Sequence, residues 1–149
     1  MIASVAIIVM SVMLFVYWFR YMCLLILSAK TTRDYAGQVA EANELQFLLI
    51  QDQLQRQDIS KEPLDPIGRA LDRDYRFLTY LLRHASGLQF GSDALENRML
   101  MIDYKIMKVF YLITRNLYPR QARRALEEMS DIVGHFANSM GERVAASHN

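Results

Sequence analysis

The chain is poor in the residues that cross-linking and chemistry usually draw on. Cysteine occurs once, at Cys23. One chain can therefore close no disulfide and build no cysteine-based metal site. In its apolar surroundings the thiol reads as a small filler, with lipidation near a membrane face as the minor alternative. Neither glycine nor proline appears before Gly37, so nothing in that stretch is chosen to break a helix. Charge is scarce as well. The first 29 residues, MIASVAIIVMSVMLFVYWFRYMCLLILSA, hold a single ionisable side chain of fixed charge, Arg20.

Catalytic signatures are missing too. There is no Gly-rich phosphate loop, HExxH, EF-hand loop or nucleophile elbow. Asp131 and His135 lie at i,i+4 on one helical face, but two ligands are too few for a metal site. Glu127 and Glu128 have no His three residues on, so the di-iron bundle pattern is absent. The nine methionines fall in the apolar run or along apolar stripes, where they fill space. After Ala29 the chain holds 16 basic and 16 acidic residues, a neutral balance that argues against nucleic acid as a partner. Thirteen of the 17 basic residues are Arg. That suits bidentate pairing with carboxylate or phosphate, and a GC-rich coding sequence would produce it equally. The expectation is no catalytic residue, no cofactor and no metal.

What is present begins with the apolar run. About 20 apolar residues in a helix cross a hydrocarbon core of roughly 30 Å, so residues 1–29 are long enough to span. A cleaved signal peptide would open with Lys or Arg and have a shorter apolar core. A buried core helix would keep a polar stripe, which residues 1–19 lack. Lys30 and Arg33 follow the run, and only the terminal amine precedes it. The positive-inside rule then places the N-terminus outside and residues 30–149 in the cytoplasm.

Arg20 has three readings. It marks the end of a shorter span, with Tyr17, Trp18, Phe19 and Tyr21 at the interface. Or it snorkels from a span over about 5–28. Or it meets a carboxylate or lipid phosphate in another membrane subunit. Trp18, Arg20 and Tyr21 are accordingly candidate contacts with lipid or a partner.

The pattern beyond the anchor predicts an all-α protein, a single N-terminal transmembrane helix followed by a small helical bundle. With no breaker before Gly37, the anchor is expected to continue through 30–57 as one rod, with Gly37 as a possible joint. Its apolar residues include Val39, Leu45, Phe47, Leu48, Leu49, Ile50 and Leu54. Residues 58–66, DISKEPLDP, read as a loop, with Asp65 as an N-cap and Pro66 opening the next helix.

Residues 58–149 are expected to form a domain of about three helices, 67–85, 93–117 and 120–140, packing with 34–57. The first has a stripe of Ile67, Leu71, Leu78 and Leu82, supported by Phe77 and Leu81. Its charged face, Arg69, Asp72, Arg73, Asp74 and Arg76, is read as solvated. Gly87 and Gly91 bracket a connection whose Leu88 and Phe90 would tuck into the core, and Asp93 and Glu96 have a capping-box order.

The second helix has the strongest periodicity in the chain. Leu95, Met99, Ile102, Ile106, Val109, Ile113 and Leu117 step by four, three, four, three, four and four, a heptad-like seam. It is expected to be the central helix of the bundle. The third has Leu126, Met129, Val133, Phe136 and Met140 at similar spacing, Gly141 as C-terminal cap and a frayed tail.

One charge cluster stands apart. Arg115, Arg120, Arg123 and Arg124 crowd the Pro119 break, and three of them sit in the first turns of a helix, where the dipole disfavours cations. Nearby acidic groups such as Glu127 and Glu128 would compensate them, or they contact anionic headgroups or an acidic partner.

The function expected is a non-catalytic accessory or scaffold subunit of a larger membrane assembly. Its partners would be other membrane subunits or a second copy, with anionic lipid as a further contact. A membrane-tethered regulatory or sensing module is the alternative, and an enzyme without a recognisable motif the third.

Overall fold

The computed structural model describes residues 1–29, 34–56, 63–85 and 92–147. All of its regular structure is helical: α1 (Ile2–Ser28), α2 (Ala36–Ala42), α3 (Phe47–Gln55), α4 (Leu64–Ala85), α5 (Ser92–Thr114) and α6 (Pro119–Ser147). The protein is thus all-α, with one long apolar N-terminal helix and a helical bundle. Two compact units, Met1–Lys30 and Thr31–Asn149, divide the chain. The first is α1, 27 residues long, or ~40 Å at 1.5 Å per residue. It is the one described helix long and apolar enough to cross a membrane.

The expected rod over 1–57 is not formed. Helix α1 stops at Ser28, and Ala29 is extended, with ψ 118°. Lys30 and Arg33 lie outside the described residues. The described stretch 34–56 holds two short helices rather than one. The break falls at 43–46 and not at Gly37, which sits inside α2 with open space around it. Glu44 makes the break, with φ 53°. The Leu45 N–H reaches the Ala40 carbonyl at 2.9 Å and the Glu44 N–H the Glu41 carbonyl at 3.5 Å. This is a Schellman ending built without glycine.

Neither α2 nor α3 has a side-chain cap from its own N-cap residue. The cap of α3 comes from another helix, and α2 has both a local cap, Asp34 accepting the Ala36 N–H at 3.0 Å, and one from α6. Asp74 of α4 is buried, and its carboxylate accepts the backbone N–H groups of Gln46 and Phe47 at 2.7 and 2.9 Å, capping the N-terminus of α3. Asn138 of α6 accepts the Tyr35 N–H at 2.7 Å, ahead of α2. Arg123 of α6 donates to the Leu54 carbonyl and, at 3.2 Å, to that of Arg56 at the end of α3. Arg143 reaches the Leu82 carbonyl near the end of α4 at 3.4 Å. Acceptors meet N-termini and guanidinium groups meet C-termini, as the helix dipole favours.

The centre of the bundle is α6, not α5. Helices α2, α3, α4 and α5 all pack on α6, and Ala122, Ala125, Leu126, Met129, Ile132, Val133, Phe136 and Ala137 are buried along it. Gly141 is no cap. It lies within α6, where a Cβ would collide with the Tyr35 side chain, so the glycine lets α2 approach and the helix runs on to Ser147.

Helix α4 begins at Leu64, so Asp65 lies in its first turn rather than capping it. Ile67, Leu71, Leu78 and Leu82 are buried as the stripe implied, but Phe77 faces outward. Asp74, read as part of a solvated face, occupies the same buried stripe. The connection with Leu88 and Phe90, and the side chain of Asp93, lie outside the described residues.

Two outcomes follow for stability. Burial pushes the Asp74 carboxyl above its ordinary value of 3.8, against the two backbone donors that pull it down. The folded chain therefore holds this proton more tightly than the unfolded chain. The associated stability is present below 3.8 and lost as pH rises through the raised value. Asp74→Ala, which orphans two N–H groups, should cost ~1–3 kcal/mol. Asp74→Asn keeps an acceptor, should cost less, and should flatten the acid-side pH dependence. Glu44→Gly should raise stability by up to ~1 kcal/mol, since only glycine takes this φ without steric cost. Thermal unfolding of the detergent-solubilised chain, followed by circular dichroism, reads all three variants.

Candidate functional site

Helix α5 has two long stripes on opposite sides. One contains Asn97, Leu100, Asp103, Tyr104, Met107, Tyr111 and Thr114, and all seven are buried. The other is the heptad seam. Its members Leu95, Ile102, Ile106, Val109 and Ile113 are exposed, from 43% at Ile106 to 64% at Leu95 and Ile113, Met99 is half-buried, and Leu117 lies past the end of the helix at Thr114. The seam expected to form the core therefore faces outward, and the stripe that packs inward is partly polar.

The inward stripe is held by aromatic and ionic contacts. The Tyr104 ring stacks on Tyr75 of α4, with centroids 3.7 Å apart and planes within 1°. Tyr75 in turn lies against Phe136 of α6, at 6.0 Å between centroids. Burial drives the Tyr104 phenol well above its ordinary pKa. Among the described residues, neither its hydroxyl nor the buried Asn97 Oδ1 has a hydrogen-bond partner. Thr114 returns its hydroxyl to the Phe110 carbonyl at 2.7 Å.

Beside this stripe, α4 and α5 line a cleft of about 290 Å³ that contains Asp65, Gly68, Arg69, Asp72, Lys108, Tyr111 and Arg115. Asp65 accepts the Tyr111 hydroxyl at 2.9 Å and Arg115 at 3.0 Å. Asp72 pairs with Lys108 at 2.6 Å and with Arg76 at 2.9 Å. Gly68 lets the Tyr111 ring rest close to the α4 backbone, since a Cβ there would stand 3.2 Å from the ring. The Tyr111 hydroxyl is the largest influence holding the Asp65 carboxyl below its ordinary value, with Arg115 and Arg69 assisting. Burial, reinforced by Asp65, pushes the Tyr111 phenol up to about 12. Two carboxylates and three cations thus nearly cancel, and both carboxylates are ion-paired. The cleft is an ionic lock between two helices, with Arg69 left at its rim.

The four clustered arginines separate. Arg115 belongs to the lock. Arg123 caps α3 and lies 3.4 Å from Glu127, which offsets its unfavourable place in the first turns of α6. Arg120 and Arg124 are exposed and have no ion pair among the described residues. On α1, Trp18 and Tyr21 are exposed and Arg20 is half-buried. Among the described residues no group of three or more His, Cys, Asp or Glu could hold a metal. Asp131 instead accepts from Gln51 of α3 at 3.3 Å.

Sequence reasoning missed the caps and the lock. Asp74 had a signal, because it continues the Ile67, Leu71, Leu78 register. The α5 seam had one too. A strict 3.5-residue repeat suits a partner helix, whereas a globular core accepts the wider 3.6-period face.

Comparison with protein-family models, with curated proteins and with solved structures finds no match.

Replacing Tyr111 with Phe removes the strongest influence on Asp65. The Asp65 titration, followed by carboxyl carbon NMR, should then move up towards 3.8. A carboxyl with a lowered pKa stabilises the fold above its unfolded pKa, and that stability is lost as pH falls through the lowered value. Tyr111→Phe should therefore weaken the contribution at neutral pH and shift its loss to higher pH.

Proposed function

We propose that the protein is a non-catalytic accessory or scaffold subunit of a larger membrane assembly. Helix α1 is its single span, with the N-terminus outside and the helical bundle in the cytoplasm. The observation that carries this reading is the outward aliphatic face of α5, opposite a buried face that holds Asn97, Asp103 and two tyrosines. A monomer gains nothing by exposing its most regular apolar stripe, whereas a subunit uses such a face for contact. The ionisable groups of the cleft support the same reading. They neutralise one another rather than present an acid, a base or a nucleophile.

Orientation rests on Lys30 and Arg33 after the apolar run. Exposed Arg120 and Arg124 add a positive surface suited to anionic headgroups or an acidic partner. The cleft of about 290 Å³ favours a second reading, a tethered module that senses a small charged molecule.

Purification of the native chain in a mild detergent, with mass spectrometry of what accompanies it, tests the proposal. A stable set of other membrane proteins is expected, and a preparation holding only this chain overturns it. Arg120→Gln with Arg124→Gln should reduce binding to vesicles of anionic lipid several-fold if these side chains meet headgroups. Unchanged binding removes the lipid contact from the proposal.

A further inference from the structure

We infer that the outward seam of α5 is covered by the same seam of a second copy, so that the protein pairs through a two-helix coiled coil. The inference deepens the reading of the protein as an assembling subunit by naming one interface and its occupant.

Register is the first argument. Taking Met99, Ile106 and Ile113 as a positions, Leu95, Ile102 and Val109 fall at d. Six consecutive layers, ~30 Å of helix, are therefore aliphatic or methionine. A 3.5-residue repeat holds one narrow line of side chains against another helix as the two wind together. A lipid surface asks instead for a broad apolar arc edged with lysine and arginine.

The edges of this seam do not fit lipid. Glu96 and Phe110 lie along one edge, and Arg98, Lys105 and Leu112 along the other, so the flanks mix signs and apolar residues. Such flanks repel no like copy and offer a strongly charged partner little to match.

Area is the second argument. At their exposures, the five exposed members on α5, with Phe110 and Leu112 on their flanks, leave on the order of 600 Å² of apolar surface open. That is the upper end for a monomer's largest patch and approaches the ~800 Å² that each partner gives to a standard interface.

Complementarity is the third. A heptad seam needs another heptad seam. Among the described residues of 34–147, the large outward apolar side chains besides the seam and its flanking Phe110 and Leu112 are Leu48, Leu49, Phe77, Tyr80, Leu117, Tyr118 and Val144, and they line up in no comparable stripe. The matching surface is the seam itself, which a two-fold pairing presents to its own copy.

The test uses the full chain purified in detergent. Light scattering should give twice the chain mass, and Ile102→Glu with Ile106→Glu should halve it while leaving the circular dichroism spectrum intact. Both positions are exposed in the single chain, so the substitutions spare its fold. In a Cys23→Ser background, Ile106→Cys should cross-link to a second copy with a short bis-maleimide. Arg73→Cys, on the exposed side of α4, should not.

A mass that the glutamates leave unchanged overturns the proposal, whether the chain is then a monomer or pairs through α1. Equal cross-linking at 73 and 106 overturns it as well. Protection of Ile106→Cys from maleimide only on adding vesicles, or only in the native complex, assigns the seam to lipid or to another subunit. Those outcomes overturn the pairing but leave the broader proposal standing. Native purification yielding only this chain, as a dimer, does the reverse.

Discussion

Helix α6 supplies the wall on which the other bundle helices pack, and it also caps three of them. Four neighbours on one helix require it to be apolar or small around most of its circumference. Small Ala122, Ala125, Ala137 and Gly141 and larger Leu126, Met129, Ile132, Val133 and Phe136 are buried along it, with Gly141 leaving room for the Tyr35 side chain. Its polar residues are placed at the ends of other elements: Arg123 at the end of α3, Asn138 before α2, and Arg143 near the end of α4. A change in the set of α6 would therefore disturb packing and capping together.

Because α6 takes the central place, α5 is peripheral, and only one of its faces is needed for the bundle. The face it turns inward is set by specific partners rather than by hydrophobicity alone. Tyr104 meets Tyr75, Tyr111 and Arg115 meet Asp65, and Lys108 meets Asp72. Those contacts need aromatic rings, phenol oxygens and long cationic side chains, none of which the aliphatic seam contains. Turning α5 by half a revolution would bury Ile102, Ile106 and Val109 but break the ionic lock. The bundle keeps the lock and leaves the aliphatic line outside.

The legible parts of the protein were those governed by period and composition. The apolar run of α1, the stripes of α4 and α6 and the break before Pro119 all follow from residue spacing and backbone chemistry that act within one helix. The break at Glu44 was not legible. Its left-handed residue is not glycine, and besides the local Asp34 cap on α2 its two helices depend on Asp74 and Asn138, which stand 28 and 103 residues away from the groups they accept. Gly141 looked like a cap because glycine ends helices, yet here it answers a steric demand made by Tyr35 from another helix.

The sequence by itself determined that the chain is helical, that residues 1–29 can cross a membrane, and that α5 has a heptad seam. Periodicity and apolar length are properties of a segment taken alone. Only the tertiary structure decided which helix lies at the centre, which face of α5 is buried and which charges are tied. An amphipathic pattern says that a face must be covered but not by what. The choice between two usable faces of one helix falls to the side chains of its neighbours.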